Sequence, residues 1–384
     1  MGKRITDGQA KDPVTRREFL RTAATLGTLT GATSLLQACE PTDQQSPAEV
    51  ESSPAEPTAT SSLVPEPSPS APTLPNPTGT AESGSAQVAF VKTRDRAAGV
   101  RRALALLGLN AFSSKNVLLK PNFNSAHPSP GSTHNDVLRA LVQELRERGA
   151  RAITVADRSG MAATREVMEQ KGVFTMAEEM DFETLVFDEL EKDQWVMMQP
   201  PDSHWERGFP FAQPILEADV VVQTCCLKTH RFGGHFTMSL KNSVGMVAKR
   251  VPGDRWDYMG ELHASPHQRL MIAEVNTAYT PALVVLDAVE AFVDRGPDSG
   301  KRVWAEVVLA GTDRVAIDAV GVAVLRSFGT TPQVSEGPIF HQEQIARAVE
   351  LGLGADGAGK IRCVTGDAES EAYAAQIQEI LARG

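Results

Sequence analysis

The pattern of apolar and polar positions changes character near residue 86. From there on, short apolar runs alternate with longer stretches of helical spacing, which predicts strands alternating with helices. Residues 88–92, 116–120, 152–157, 184–188, 218–226, 282–289 and 303–312 read as strands, and a last one falls near "IRCVTG". Residues 95–107, 134–148, 164–171, 314–328 and 341–351 read as helices, with Thr133 as the cap of the second and Gly149 and Gly172 as stops. Runs such as "DVVVQT" and "ALVVLD" have no polar face, as expected of strands covered by helices on both sides. The alternation predicts a layered α/β domain over residues 86–384: a mostly parallel central sheet flanked by helices.

The first 85 residues do not share this pattern. Arg16 and Arg17 stand ahead of Phe19 and Leu20, a small-residue apolar stretch follows, and "LLQAC" ends at Cys39. The apolar stretch is shorter than the roughly 20 residues a membrane-spanning helix needs. Arginine pair, apolar run and cysteine in this order resemble a twin-arginine export signal with a lipobox over residues 1–38. The twin-arginine translocase is then the expected export partner, and Cys39 the lipidated anchor on the outer side of the cytoplasmic membrane. Ten of the 24 prolines fall in residues 40–85, among many serines and threonines and no aromatic residue. Such a segment cannot bury enough apolar surface to offset its ordering entropy. It reads as a tether over residues 39–85, spanning about 40 Å by coil scaling.

Charge and cysteine content narrow the function classes. Residues 1–38 carry +3 and the tether −7, leaving −6 of the formal −10 for the folded part. That sign disfavours nucleic acid as a partner, since nucleic-acid binding needs a basic face. Beyond Cys39 only Cys225, Cys226 and Cys363 occur, without a CxxC spacing, so no iron-sulfur cluster or zinc ribbon is encoded. "GLGADG" (352–357) fits GxGxxG but follows a helix instead of a strand, and reads as a helix stop and turn.

Candidate chemistry collects at the ends of the strands, where open α/β sheets hold their ligands. Lys120 and Asn122 close the second strand, Asp157 the third, Lys228, Thr229 and His230 the fifth, and Asp287 the sixth. Lys241 and Asn242 lie just beyond. Lysine is seldom buried without a partner. At strand ends it faces carboxylates, with Lys120 and Lys228 pairing with Asp157 and Asp287, or it faces a ligand anion. Lys120, Asn122, Lys228, Thr229, Lys241 and Asn242 are the anion-binding candidates, and His230 with Asp157 and Asp287 the candidates for proton transfer. A divalent metal on His230, His235 and Asp287 is a further expectation. His127, His134, His263 and His267 also come into question, although Pro266 breaks the spacing of the last two. "DRGPDSG" (294–300) reads as a turn between strands, and Cys225-Cys226 as small buried hydrophobes.

The motifs "NVLLKPNFN", "CLKTHRFGGHFTMSLKNSVGM", "LDAVEAFVDRGPDSG" and "AGTDRVAIDAVGV", in this order, resemble the DUF362 family of prokaryotic proteins. The resemblance runs from about residue 88 to 366. It carries over to Lys120-Pro121-Asn122, Lys228-Thr229-His230, Lys241-Asn242, Gly245, Asp287, Gly296-Pro297, Asp313 and Asp318. Some relatives are described as iron-sulfur proteins, but this chain lacks their cysteine runs. The leading expectation is an exported, membrane-anchored enzyme acting on a small anionic substrate or cofactor bearing phosphate or carboxylate. The alternatives are a non-catalytic lipoprotein that captures a solute or metal, and a redox-associated protein.

Overall fold

The computed structural model describes residues 85–384; the expected export signal, the expected anchor Cys39 and the expected tether up to residue 84 lie outside the described residues. Eleven strands are present: β1 (Ala86–Lys92), β2 (Asn116–Lys120), β3 (Ala152–Asp157), β4 (Glu183–Val186), β5 (Trp195–Met198), β6 (Phe209–Ala212), β7 (Val220–His230), β8 (His235–Thr237), β9 (Leu283–Arg295), β10 (Gly300–Gly311) and β11 (Ile361–Val364). Nine form one sheet in the order β11-β1-β10-β9-β7-β2-β3-β4, with β8 added on β7, and β5 and β6 pair separately.

The sheet is mostly parallel, as its apolar runs suggest, but it carries an antiparallel insert. β10 runs against both β1 and β9. The cause is local: only four residues separate β9 from β10, too few for the crossover that a parallel neighbour requires. The long helices cover both faces. Arg96–Leu107 and Asn135–Glu147 pack with one set of alternating strand residues, and Arg314–Ser327 and Ala368–Arg383 with the other. Adjacent residues of β7 accordingly join opposite cores: Val222 sits in the first and Val221 in the second.

Three details depart from the sequence reading. Thr133 does not cap the helix Asn135–Glu147: the His134 side chain accepts from the Asp136 N–H, while Thr133 Oγ1 accepts from the Asn122 N–H at 2.8 Å. A β-hairpin, β5–β6, occupies the stretch between β4 and β7 that carried no strand pattern. Most importantly, β7 does not stop at Cys226 but continues through Lys228 to His230, with every residue buried.

That extension shapes the site. β2 pairs with β7 only as far as Lys120 opposite Gln223. The remainder of β7 projects past the carboxyl edge of β2, and β8 folds back on it through the turn at residues 231–234, matching Lys228 with Thr237 and His230 with His235. Gly233 takes φ +84° in this turn, a conformation that side chains resist. The ledge so formed overhangs the ends of β2 and β3. Among the described residues, no helix is long and apolar enough to cross a membrane.

Candidate anion site

A cleft of about 140 Å³ lies under this ledge, and its wall is drawn from the ends of β2, β3 and β7 and the turn beyond β8. Lys120 and Asn122 come from β2 and its loop, and Asp157 from β3. Lys228 and His230 come from β7, and Lys241 and Asn242 from the short helix Ser239–Asn242. Groups 122 residues apart in sequence thus share one cavity. Arg158, Lys249 and His263 join them, so that five cationic side chains line a space with a single carboxylate, Asp157. The domain is acidic overall; its pocket is not.

Accounting for hydrogen bonds separates structural from available cations. The Lys120 ammonium spends all three protons: on Asp157 Oδ1 at 2.7 Å, on the Pro121 carbonyl at 2.8 Å and on Asn242 Oδ1 at 3.0 Å. Asp157 also accepts from the backbone N–H groups of Phe123 and Arg158, at 2.6 and 2.7 Å. Burial pushes the Asp157 carboxyl up, and Lys120 and these donors oppose it. Lys228 donates to Asn122 Oδ1 at 2.8 Å and to the Gly131 carbonyl at 2.6 Å, which among the described residues leaves one proton unused and no carboxylate in ion-pair contact. Asn122 and Asn242 complete the chain, the Asn122 amide donating to Asn242 Oδ1 at 3.1 Å. Asn242 turns its own N–H groups to Gln223 and to the Thr224 carbonyl. Both asparagines hold the lysines in place.

Lys241 is different. No described residue bonds to its ammonium. Its enclosed position, with Lys228 and Arg158 nearby, brings its pKa down to about 7. Lys228 is lowered to about 8, chiefly by burial. His230 is buried with its Nδ1 unpartnered, and burial together with Lys241 pushes its pKa well below the ordinary imidazole value, so the ring is neutral at pH 7. Thr237 Oγ1, opposite Lys228, is also buried without a partner. His230 and Thr237 both line the cleft.

The backbone is fitted to these groups. Asp318, buried on the helix Arg314–Ser327, accepts from the N–H groups of Ser239 and Leu240 at 2.8 and 3.0 Å and so anchors the turn that carries Lys241; burial pushes its carboxyl up to about 7. A Cβ on Gly234 would lie 2.8 Å from Lys241 Cε and 3.0 Å from His230 Nδ1. A Cβ on Gly245 would lie 2.7 Å from both Asp157 Oδ1 and Lys120 Nζ. Gly245→Ala is accordingly expected to lower unfolding stability by about 1–3 kcal/mol through overpacking; chemical denaturation measures this, and an unchanged midpoint would show that the ion pair can move aside.

Several expected site residues are not brought here. Asp287 is fully buried outside the cleft, 2.8 Å from Arg96 Nε, and Ser129 Oγ donates to it at 3.3 Å. Its partner is thus Arg96 and not Lys228, and it is placed neither to tune His230 nor to reach a ligand in the cleft. The second arm of Arg96 reaches Glu290 at 2.8 Å. Thr229 Oγ1 donates to the Phe292 carbonyl, facing away from the cleft. His235 pairs with His230 across the hairpin but does not line the cavity. The metal set His230, His235 and Asp287 is therefore not assembled, and among the described residues no three His, Cys, Asp or Glu side chains are placed to hold a metal. Cys225 and Cys226 are buried with their thiols pushed up, Cys226 to about 11, which keeps them from the reactive thiolate form. Asp298, in the β9–β10 turn, is tied to Arg231 at 2.7 Å.

Among the polar wall residues missed by the sequence reading are Arg158, Thr237 and Lys249. Arg158 directly follows Asp157, and its position one residue past a strand end could have marked it. Its guanidinium is held by the backbone carbonyls of Val247 at 2.9 Å and of Val244. His263, a candidate in the sequence, reaches the cleft without His267, its Nδ1–H donating to the Met259 carbonyl at 2.7 Å.

Fold and site together define an α/β domain with a cationic pocket at the carboxyl edge of its sheet. The chain belongs to the DUF362 family, described as a domain of unknown function, whose model matches residues 117–323. Among curated proteins, none matches the chain. Among solved structures it is similar to the lactate racemase apoprotein from Thermoanaerobacterium thermosaccharolyticum, with 16% sequence identity and a TM-score of 0.40. That similarity covers 62% of this chain, which spans 56% of the length of the racemase chain.

Proposed function

We propose that the cleft binds a small anion bearing phosphate or carboxylate, and that the protein is an enzyme moving a proton on that ligand. The observation that carries this reading is the pair Lys228 and Lys241: two ammonium groups facing one cavity, neither in contact with a carboxylate of the described residues. Uncompensated buried charge is costly, so a site that keeps it is suited to an anion that supplies the missing partner. Thr237 Oγ1 and the spare proton of Lys228 add donors beside Lys241. For the chemistry, a lysine titrating near pH 7 can give a proton as ammonium or take one as amine, and the neutral His230 beside it offers a second relay. Asp157, Asn122 and Asn242 act as positioning residues through Lys120 and Lys228.

The sign of the pH dependence follows from the two lysines. Both must be charged to hold an anion, and both lose their protons as pH rises through about 7 and about 8. Sulfate, which does not titrate in this range, is the suitable probe. Its affinity by calorimetric titration is expected to fall by at least about tenfold between pH 6 and pH 9, with proton uptake on binding near pH 8. An affinity independent of pH would count against the lysines as the anion-holding groups.

We further propose that this chemistry takes place outside the cytoplasmic membrane, on a protein held by lipid at Cys39. The support is the order of Arg16-Arg17, apolar run and cysteine. Cys39→Ser is expected to shift the protein from the membrane fraction to the soluble exported fraction, and retention in the membrane fraction would remove the anchor assignment.

A further inference from the structure

The cleft has two tiers. Its floor is polar and closed: Lys228 is 0% exposed, Lys120 1%, Asn242 2% and Arg158 4%. Its mouth is apolar and open. Of the large hydrophobic side chains exposed among the described residues, two line this one cavity, Phe232 at 48% and Met161 at 46%. Met259, Val244 and Pro297 complete the rim. An exposed aromatic ring standing alone needs no explanation. Phe232 does not stand alone, and it is held in place. Its ring packs edge-on against His230, with centroids 5.8 Å apart, and the Arg231 guanidinium stacks over it at 4.4 Å. Arg231 is in turn fixed to the β9–β10 turn by Asp298 and by the Gly296 carbonyl, each at 2.7 Å. Met161 lines the same mouth from the loop after β3, where its N–H donates to the Asn124 carbonyl at 3.0 Å. A free inorganic anion would use the floor and leave this rim wet.

We infer that the ligand is an amphiphile: an anionic head on the cationic floor, joined to a planar or short apolar body that lies between Phe232 and Met161. This rests on the anion-site reading above and adds the class of the group attached to the head. The ring face and the methionine thioether accept flat apolar groups without a directional requirement. Selectivity by the rim is therefore for apolar area, while the floor selects charge.

The test uses probes matched in charge, methyl phosphate against phenyl phosphate and acetate against benzoate, titrated into the full chain and into the double variant Phe232→Ala/Met161→Ala. In the wild-type protein the phenyl-bearing member of at least one pair is expected to bind about tenfold or more tightly than its methyl partner. The double variant is expected to bind both members of that pair at the methyl level, with methyl affinity unchanged. Both side chains are exposed, so the thermal midpoint should be retained and serves as the fold control. Equal affinity within both pairs in the wild type, or a phenyl preference that survives the double variant, overturns the amphiphile inference and leaves the anion site standing. Binding of none of the four probes overturns both.

Discussion

Replacing Arg96 by methionine is expected to cost the folded protein about 3–5 kcal/mol, the largest single-residue effect on stability named here. Arg96 is almost fully buried at the start of the helix Arg96–Leu107 and bridges two acids of β9, Asp287 at 2.8 Å and Glu290 at 2.8 Å. Methionine fills a similar volume but leaves the Asp287 carboxylate, which is 0% exposed, with only the Ser129 hydroxyl and the Val289 N–H for partners. Denaturant unfolding measures the loss, and the folded fraction should bind sulfate as the wild type does, because neither residue lines the cleft. A variant as stable as the wild type would show that β9 does not depend on this bridge. A variant that folds normally and cannot bind would return Asp287 to the site.

The second large effect is on binding. Lys241→Met is expected to weaken sulfate binding by about 30-fold or more at pH 6.5, on the scale of one lost charge-assisted hydrogen bond of about 1.5–3 kcal/mol. It should do so without unfolding the protein, since no described residue depends on the Lys241 ammonium. The stability change has a definite sign. Burial lowers the pKa of Lys241 in the fold from 10.5 to about 7, so its charge opposes folding, and this opposition builds as pH falls from about 10.5 towards 7. The variant is therefore expected to match the wild type near pH 10 and to exceed it in stability at pH 6. Lys228→Ala is a poorer test, because Lys228 also holds Asn122 and Gly131, and losing those contacts would disturb the wall itself.

How much of this was legible in the sequence follows from what each signal reports. Apolar runs such as "DVVVQT" report burial on two faces, so the layered α/β class and most strand positions could be read. Direction could not: nothing in the apolar content of 303–312 says that β10 runs antiparallel, and only the short β9–β10 turn decides it. The length of β7 was concealed by its own chemistry. Lys228 and His230 look like the start of a loop because polarity ordinarily ends a buried strand, yet here they remain in the strand because it overhangs the sheet edge beside β8. The rule that ligands sit at the carboxyl ends of strands found Lys120, Asn122, Asp157, Lys228, His230, Lys241 and Asn242, which do converge. The same rule overreached at Asp287, since it cannot see a partner arriving from a helix nearly 200 positions earlier. It also missed His263, which no strand carries. Hydrogen-bond partners lie beyond sequence altogether. That Lys120 is spent on Asp157 while Lys241 is free depends on the fold of the turn anchored by Asp318, and the proposed anion site rests on this difference.

The most direct measurement is a crystal structure of the protein soaked with tungstate, a tetrahedral dianion located without ambiguity by its anomalous scattering. One ordered ion is expected inside the cleft, within hydrogen-bonding distance of Lys241 Nζ and Lys228 Nζ and near Thr237 Oγ1. Tungstate ordered only on outer surfaces, with the two ammonium groups bonded to other protein atoms, would contradict the assignment of this cleft as an anion site.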